Sequence, residues 1–157
     1  MEQASLQARQ SADKPALTLH RRFPVAPEKV WRAWTDPQAL RQWFGPAGEQ
    51  QPVSVADIDL RPGGRFRLVF GGPDGNEHEA AGVYKEVVAN RKLVFSWCWP
   101  RTTPDRISQI TILLRAEGGG TDMEFRHEQF FDPAARDGHL RGWTGTFAKL
   151  EVFLQQA

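Results

Sequence analysis

The stretch from Asp132 to Gln156 constrains this chain most, because it reads as a helix that cannot stand on its own. Asp132-Pro133 is a helix opening: a side-chain acceptor at the cap, then a proline whose missing N–H would have no intrahelical partner anyway. Beyond Gly138, apolar residues fall at Leu140, Trp143, Phe147, Leu150 and Leu154, at spacings of three and four, which is one stripe of a helix. Gly142 and Gly145 lie in the same run, and a glycine inside a helix costs roughly 1 kcal/mol relative to alanine. Intrinsic propensity does not hold this helix, so packing must. It needs a broad apolar surface to lie on.

The preceding chain supplies that surface as strands. Leu17, Leu19 and Phe23 bracket a first strand. Pro27 starts a helix with Val30, Trp31, Ala33 and Trp34 as its apolar side, and Asp36-Pro37 opens a second, with Leu40, Trp43 and Phe44 on one face and Gly45-Pro46 as its end. From Pro52 the period drops to two. Val53–Leu60 is a strand, and Phe66, Leu68 and Phe70 then alternate with Arg65, Arg67 and Val69. A turn at Gly71–Gly75 leads to Glu77–Val88, where His78, Ala80, Gly82 and Tyr84 share a side. Asn90-Arg91 turns the chain into Leu93, Phe95, Trp97 and Trp99. A loop with Pro100 and Pro104 is expected next, then an inward set Ser108, Ile110, Ile112 and Leu114. Gly118–Gly120 closes a hairpin onto Met123, Phe125 and His127.

Consecutive strands with turn-sized links give an antiparallel meander. A twisted sheet of about seven strands curls, and its concave side can wrap one long helix. The fold class expected is therefore α+β: a curved antiparallel sheet around a long C-terminal helix, with two short helices after the first strand. Residues 1–15 are polar and aperiodic and read as a flexible leader; residues 16–157 read as one domain.

Composition excludes some functions. The formal net charge is +1, and arginines alternate with acids without a basic run, so nothing argues for nucleic acid. Cys98 is the single cysteine, which rules out an internal disulfide. No apolar run near the start reads as a signal peptide or spanning helix; no membrane partner is expected, and the cytoplasm is the default location. Six tryptophans and ten phenylalanines against one tyrosine indicate a bulky core, an aromatic cavity, or both.

Several segments in order resemble a known family: Phe23–Trp31, Thr35-Asp36-Pro37 through Leu40 and Trp43-Phe44, Arg61–Phe66, Gly82-Val83-Tyr84, Leu93–Trp97, His127 near Phe130, and Gly142-Trp143. Together they resemble the activator-of-heat-shock-ATPase homologue family, a branch of the SRPBCC (START-like, helix-grip) superfamily, over roughly Leu17 to Gln156. The resemblance implies a hydrophobic tunnel between sheet and long helix. Its members include lipid and polyketide binders, cyclases, co-chaperone domains and stress-response proteins, so it speaks to fold more than to function.

The residues themselves show no catalytic motif. His78 and His127 fall on the concave side but lack further ligands at metal-site spacing, so no metal or cofactor is expected. His20 and His139 are expected to face water. Ser96 and Cys98 have no base at a suggestive offset, and neither Gly-Gly pair precedes a helix that would receive an anion. What remains is a pocket. Phe66, Leu68, Phe70, Trp97, Trp99, Ile110, Ile112, Met123 and Phe125 face Trp143 and Phe147, with Trp43 and His78 beside them. Ala80 and Gly82 are small central residues expected to leave volume, and Tyr84 and His127 are the expected polar anchors. The function that follows is binding of a hydrophobic small molecule, in stress response or secondary metabolism. The alternatives are a cyclase- or hydrolase-like enzyme using the same cavity through His127, and a co-chaperone-like interaction domain. A homodimer and a chaperone partner are left open.

Overall fold

The structure, a computed structural model, describes residues 14–45, 53–72 and 74–156. Most of the expected leader, residues 46–52 and Pro73 of the expected hairpin turn lie outside the described residues. The element order is β1 (Leu17–Phe23), α1 (Pro27–Thr35), α2 (Pro37–Trp43), β2 (Val53–Ile58), β3 (Arg65–Gly71), β4 (Glu77–Val88), β5 (Lys92–Trp99), β6 (Thr103–Glu117), β7 (Gly120–Glu128) and α3 (Pro133–Gln156). One antiparallel sheet has the order β1-β7-β6-β5-β4-β3-β2, so the meander runs as expected and β1 closes onto its end.

The helix starts follow their signals. Asp36 accepts the Gln38 N–H at 2.9 Å, and Asp132 accepts the Ala135 N–H at 2.8 Å, with proline at the first helical position of α2 and α3. The Gln38 amide and then Arg32 hold the Asp36 carboxyl below its ordinary value. The Trp43 indole donates to the Ala33 carbonyl at 2.9 Å and locks α2 against α1. Gly45, at φ +115°, ends α2 in a conformation that side chains rarely adopt.

The concave face buries Phe66, Leu68 and Phe70 of β3, Leu93, Phe95 and Trp97 of β5, Ile110 and Ile112 of β6, and Met123 and Phe125 of β7. Against them α3 lays Trp143, Phe147, Leu150 and Leu154. Three expectations need correction. Leu140 is 37% exposed, and His139 takes the inward place expected to be Leu140's. Both lie about one turn from Trp143, but only the four-residue step stays on the sheet side here. Pro104 falls within β6, in an exposed stretch where the β5–β6 register shifts between Trp97 and Trp99, so its missing N–H breaks no regular ladder. Gly82 opens no space: a Cβ there would collide with the Ser96 carbonyl oxygen and approach Phe66 Cε1 at 2.7 Å. Glycine stands there because β5 comes too close.

Candidate functional site

Room between sheet and helix exists at one end. The inner face of α3 begins with Ala134, Ala135, Gly138 and Gly142, residues with little or no side chain. A Cβ on Gly142 would meet nothing within 4 Å. Phe70, Trp97 and Trp99 of the sheet line the same space, and Phe44, Gly45, Gly72, His78 and Thr102 complete its wall. The space between them is about 530 Å³, within the range of ligand sites. Its aromatic walls brace one another: Trp97 meets Trp99 edge-on at 5.4 Å, Phe44 meets Phe70 at 5.3 Å, and Trp97 lies 5.3 Å from Trp143. Among the described residues, no acidic side chain and no lysine or arginine belongs to this wall.

Two histidines, His127 buried and His139 half-buried, hold the walls in place. The Trp143 indole N–H donates to His127 Nδ1 at 3.1 Å, and an indole nitrogen can only donate. His127 therefore carries its proton on Nε2, which donates to Ser108 Oγ at 2.7 Å, and Ser108 donates onward to the Trp97 carbonyl at 3.3 Å. The same logic fixes His139: it accepts from the Trp99 indole at Nε2 (3.0 Å) and donates from Nδ1 to the Ala135 carbonyl (2.7 Å). Burial pushes both imidazoles below their ordinary value, His127 well below, with His139 close by adding to the effect. Both rings are neutral, and all four nitrogens are occupied within the protein.

His78 differs. Its Nε2 lies 3.2 Å from Asp74 Oδ1, across the hairpin between β3 and β4, and Nδ1 has no partner among the described residues. The Asn76 amide, and after it His78, keep the Asp74 carboxyl low. A Cβ on Gly72 would strike this imidazole at 2.5 Å, so the glycine makes room for it.

Of the residues singled out from the sequence, Phe70, His78, Trp97, Trp99 and Trp143 line this cavity. Phe66, Leu68 and Tyr84 instead surround, with Trp34 and Trp97, a separate void of about 20 Å³, room for a single water. The indole N–H groups of both Trp34 and Trp97 are buried without a partner among the described residues. Burial pushes the Tyr84 phenol far above its ordinary value. Trp43, Ala80, Ile110, Ile112, Met123, Phe125 and Phe147 are packed core, and His127 is buried outside the cavity wall. Sequence reasoning missed Phe44, Thr102, Thr146, His139 and the small residues of α3. The last were legible: Ala134, Gly138 and Gly142 recur every fourth position, a stripe of missing side chains. Among the described residues no cluster of three or more His, Cys, Asp or Glu is placed to hold a metal, and no helix is long and apolar enough to cross a membrane.

A family model described as "Activator of Hsp90 ATPase homolog 1-like protein" matches residues 24–155. No curated protein matches the chain. Among solved structures, a Rhizobium leguminosarum protein is similar at 31% identity, covering 92% of this chain and 97% of its own, with a TM-score of 0.75. A Chromobacterium violaceum protein is 26% identical with a TM-score of 0.80, over 88% of this chain and 96% of that one. The AHSA1 protein of Silicibacter pomeroyi is 27% identical with a TM-score of 0.77, over 90% and 99%.

Proposed function

Because the chain belongs to the activator of Hsp90 ATPase homolog 1-like family, whose fold serves ligand binding or protein interaction, we propose that it binds a hydrophobic, partly aromatic small molecule between the sheet and the first half of α3. One observation carries this reading: a cavity of about 530 Å³ whose walls are aromatic, braced and free of charge. Phe70, Trp97, Trp99 and Trp143 supply flat apolar contact, and His78 supplies a hydrogen-bonding edge. In this reading the protein works in the cytoplasm, in stress response or secondary metabolism. Thermal-shift and calorimetric titration with 2-naphthol tests it. Binding should raise the melting temperature of the wild-type protein and vanish in Gly142→Leu, whose side chain would enter the empty space. Absence of binding, or equal binding by the folded Gly142→Leu variant, would count against the cavity as the site.

A second reading, an enzyme using the same cavity, is favoured by the Asp74–His78 pair. A carboxylate that orients an imidazole by one nitrogen and leaves the other free is an arrangement suited to general-base work. It moves the candidate base from His127, whose nitrogens are both occupied, to His78. His78→Ala should then abolish turnover of a bound ester or polyketide-like substrate while ligand affinity changes by less than tenfold. Turnover that survives the substitution would remove this reading.

A further inference from the structure

Lys149 is a cation out of place. It lies on α3 in the same row as Gly138, Gly142 and Thr146, three residues that line the cavity. Its Nζ is 3.8 Å from the point where a Cβ on Gly45 would stand, and Phe70 Cδ2 is 3.8 Å from that same point. Gly45 and Phe70 both belong to the cavity wall, and the ammonium lies just outside that lining, beside its Gly45 corner. Thr146 fixes this corner by donating to the Gly45 carbonyl at 2.8 Å.

The side chain is half-buried, and no carboxylate or hydrogen-bond acceptor among the described residues meets it. Other arginines and lysines near the sheet are differently placed: Arg101 pairs with Glu77 and Glu79, Arg67 with Glu79, and Lys92 with Glu86. Burial alone pushes the Lys149 ammonium below its ordinary value, with no acidic neighbour among the described residues acting against it. A half-desolvated cation without an anion is unfavourable unless something of opposite charge arrives. The described cavity wall offers no acid of its own.

Resting on the ligand-binding reading above, we infer that Lys149 receives the anionic head of the ligand, which makes the ligand an amphipathic monoanion such as an aromatic or aliphatic carboxylate. Its apolar body lies against the Phe70 and Trp99 rings, which pack on each other at 6.1 Å, and its charged end reaches the corner made by Gly45 and Thr146.

Calorimetry with 2-naphthoic acid and its neutral counterpart 2-naphthalenemethanol, on the full chain, tests this. The wild-type protein should prefer the acid by tenfold or more. Lys149→Met should weaken the acid at least tenfold and leave the alcohol within twofold, and Lys149→Arg should keep most of the preference. Gly142→Leu should abolish binding of both. If the wild-type protein binds acid and alcohol alike and Gly142→Leu removes both, the cavity is the site and the role of Lys149 is overturned. That role is overturned equally if Lys149→Met weakens both probes to the same extent. If neither probe binds the wild-type protein, both the inference and the reading beneath it fall. Thermal melting of each variant establishes that it is folded.

Discussion

The two ends of the space between sheet and long helix are built from the same kinds of residue and end up opposite in character. Toward the C-terminal half of α3, Phe147 meets Trp34 at 6.0 Å, Phe125 at 5.0 Å and Trp143 at 5.7 Å, and the rings close over one another. Toward its N-terminal half, Phe70, Trp97 and Trp99 are just as aromatic, yet they face about 530 Å³ of space. The sheet presents bulky side chains at both ends. The difference comes from the helix, which places Phe147, Leu150 and Leu154 over one end and Ala134, Gly138 and Gly142 over the other. The cavity is thus set by what the helix omits. The same omission weakens the helix's own tendency to form, since glycine is costly in its interior.

The largest expected effect comes from truncating one aromatic at each end. Phe147→Ala should cost about 3–5 kcal/mol of stability, the usual loss for a large buried ring. Phe70→Ala, whose ring already borders empty space, should cost about 1–2 kcal/mol less, because fewer contacts are lost. Urea denaturation of both variants gives the difference directly; equal losses would mean that the two ends are packed alike. Acid comes next. His127 and His139 are held neutral in the folded protein, whereas the unfolded chain protonates them near pH 6.5. The unfolded state therefore binds more protons below that point, and stability, complete above it, falls as pH drops. Each histidine contributes about 1.4 kcal/mol per pH unit until its folded-state value is reached. Denaturation at pH 7.5 and 5.5 should show the slope, and His127→Asn should flatten it more than His139→Asn. Asp36, Asp74 and Glu79, which their partners hold low, add losses only nearer the ordinary carboxylate range. The smallest effect is Gly142→Ala. The added methyl meets no atom and helix propensity improves, so stability should rise by up to about 1 kcal/mol. A lower melting temperature would mean that the space beside Gly142 is not open.

Much of the fold was legible. Asp132-Pro133 and Asp36-Pro37 open helices through local chemistry that acts wherever the chain goes, and alternation in β3, β5 and β7 identifies the covered side. Alternation does not report how far away the covering element lies. Ala80 and Gly82 therefore read as a hole, although Ala80 is fully buried and Gly82 is small only to let the Ser96 carbonyl pass. His139 read as solvent-facing because its inward position depends on the exact rotation of α3, which a stripe spaced at three and four leaves open by a fraction of a turn. The partnership of Asp74 with His78, and the corner at Gly45 that meets Lys149, join elements through turns whose geometry spacing does not encode.

Among the described residues β1 pairs with β7 alone, and there the Arg126 guanidinium bonds Thr18 Oγ1 across 108 positions of sequence. A ribosome making this protein releases the first strand long before its neighbour exists. Until β7 emerges, Leu17 and Phe23 have no lattice to join, and the strand made earliest is among the last to be seated. Pairings this distant slow refolding, into the milliseconds-to-seconds regime typical of non-local β topologies, and they leave an unsatisfied sheet edge waiting during synthesis.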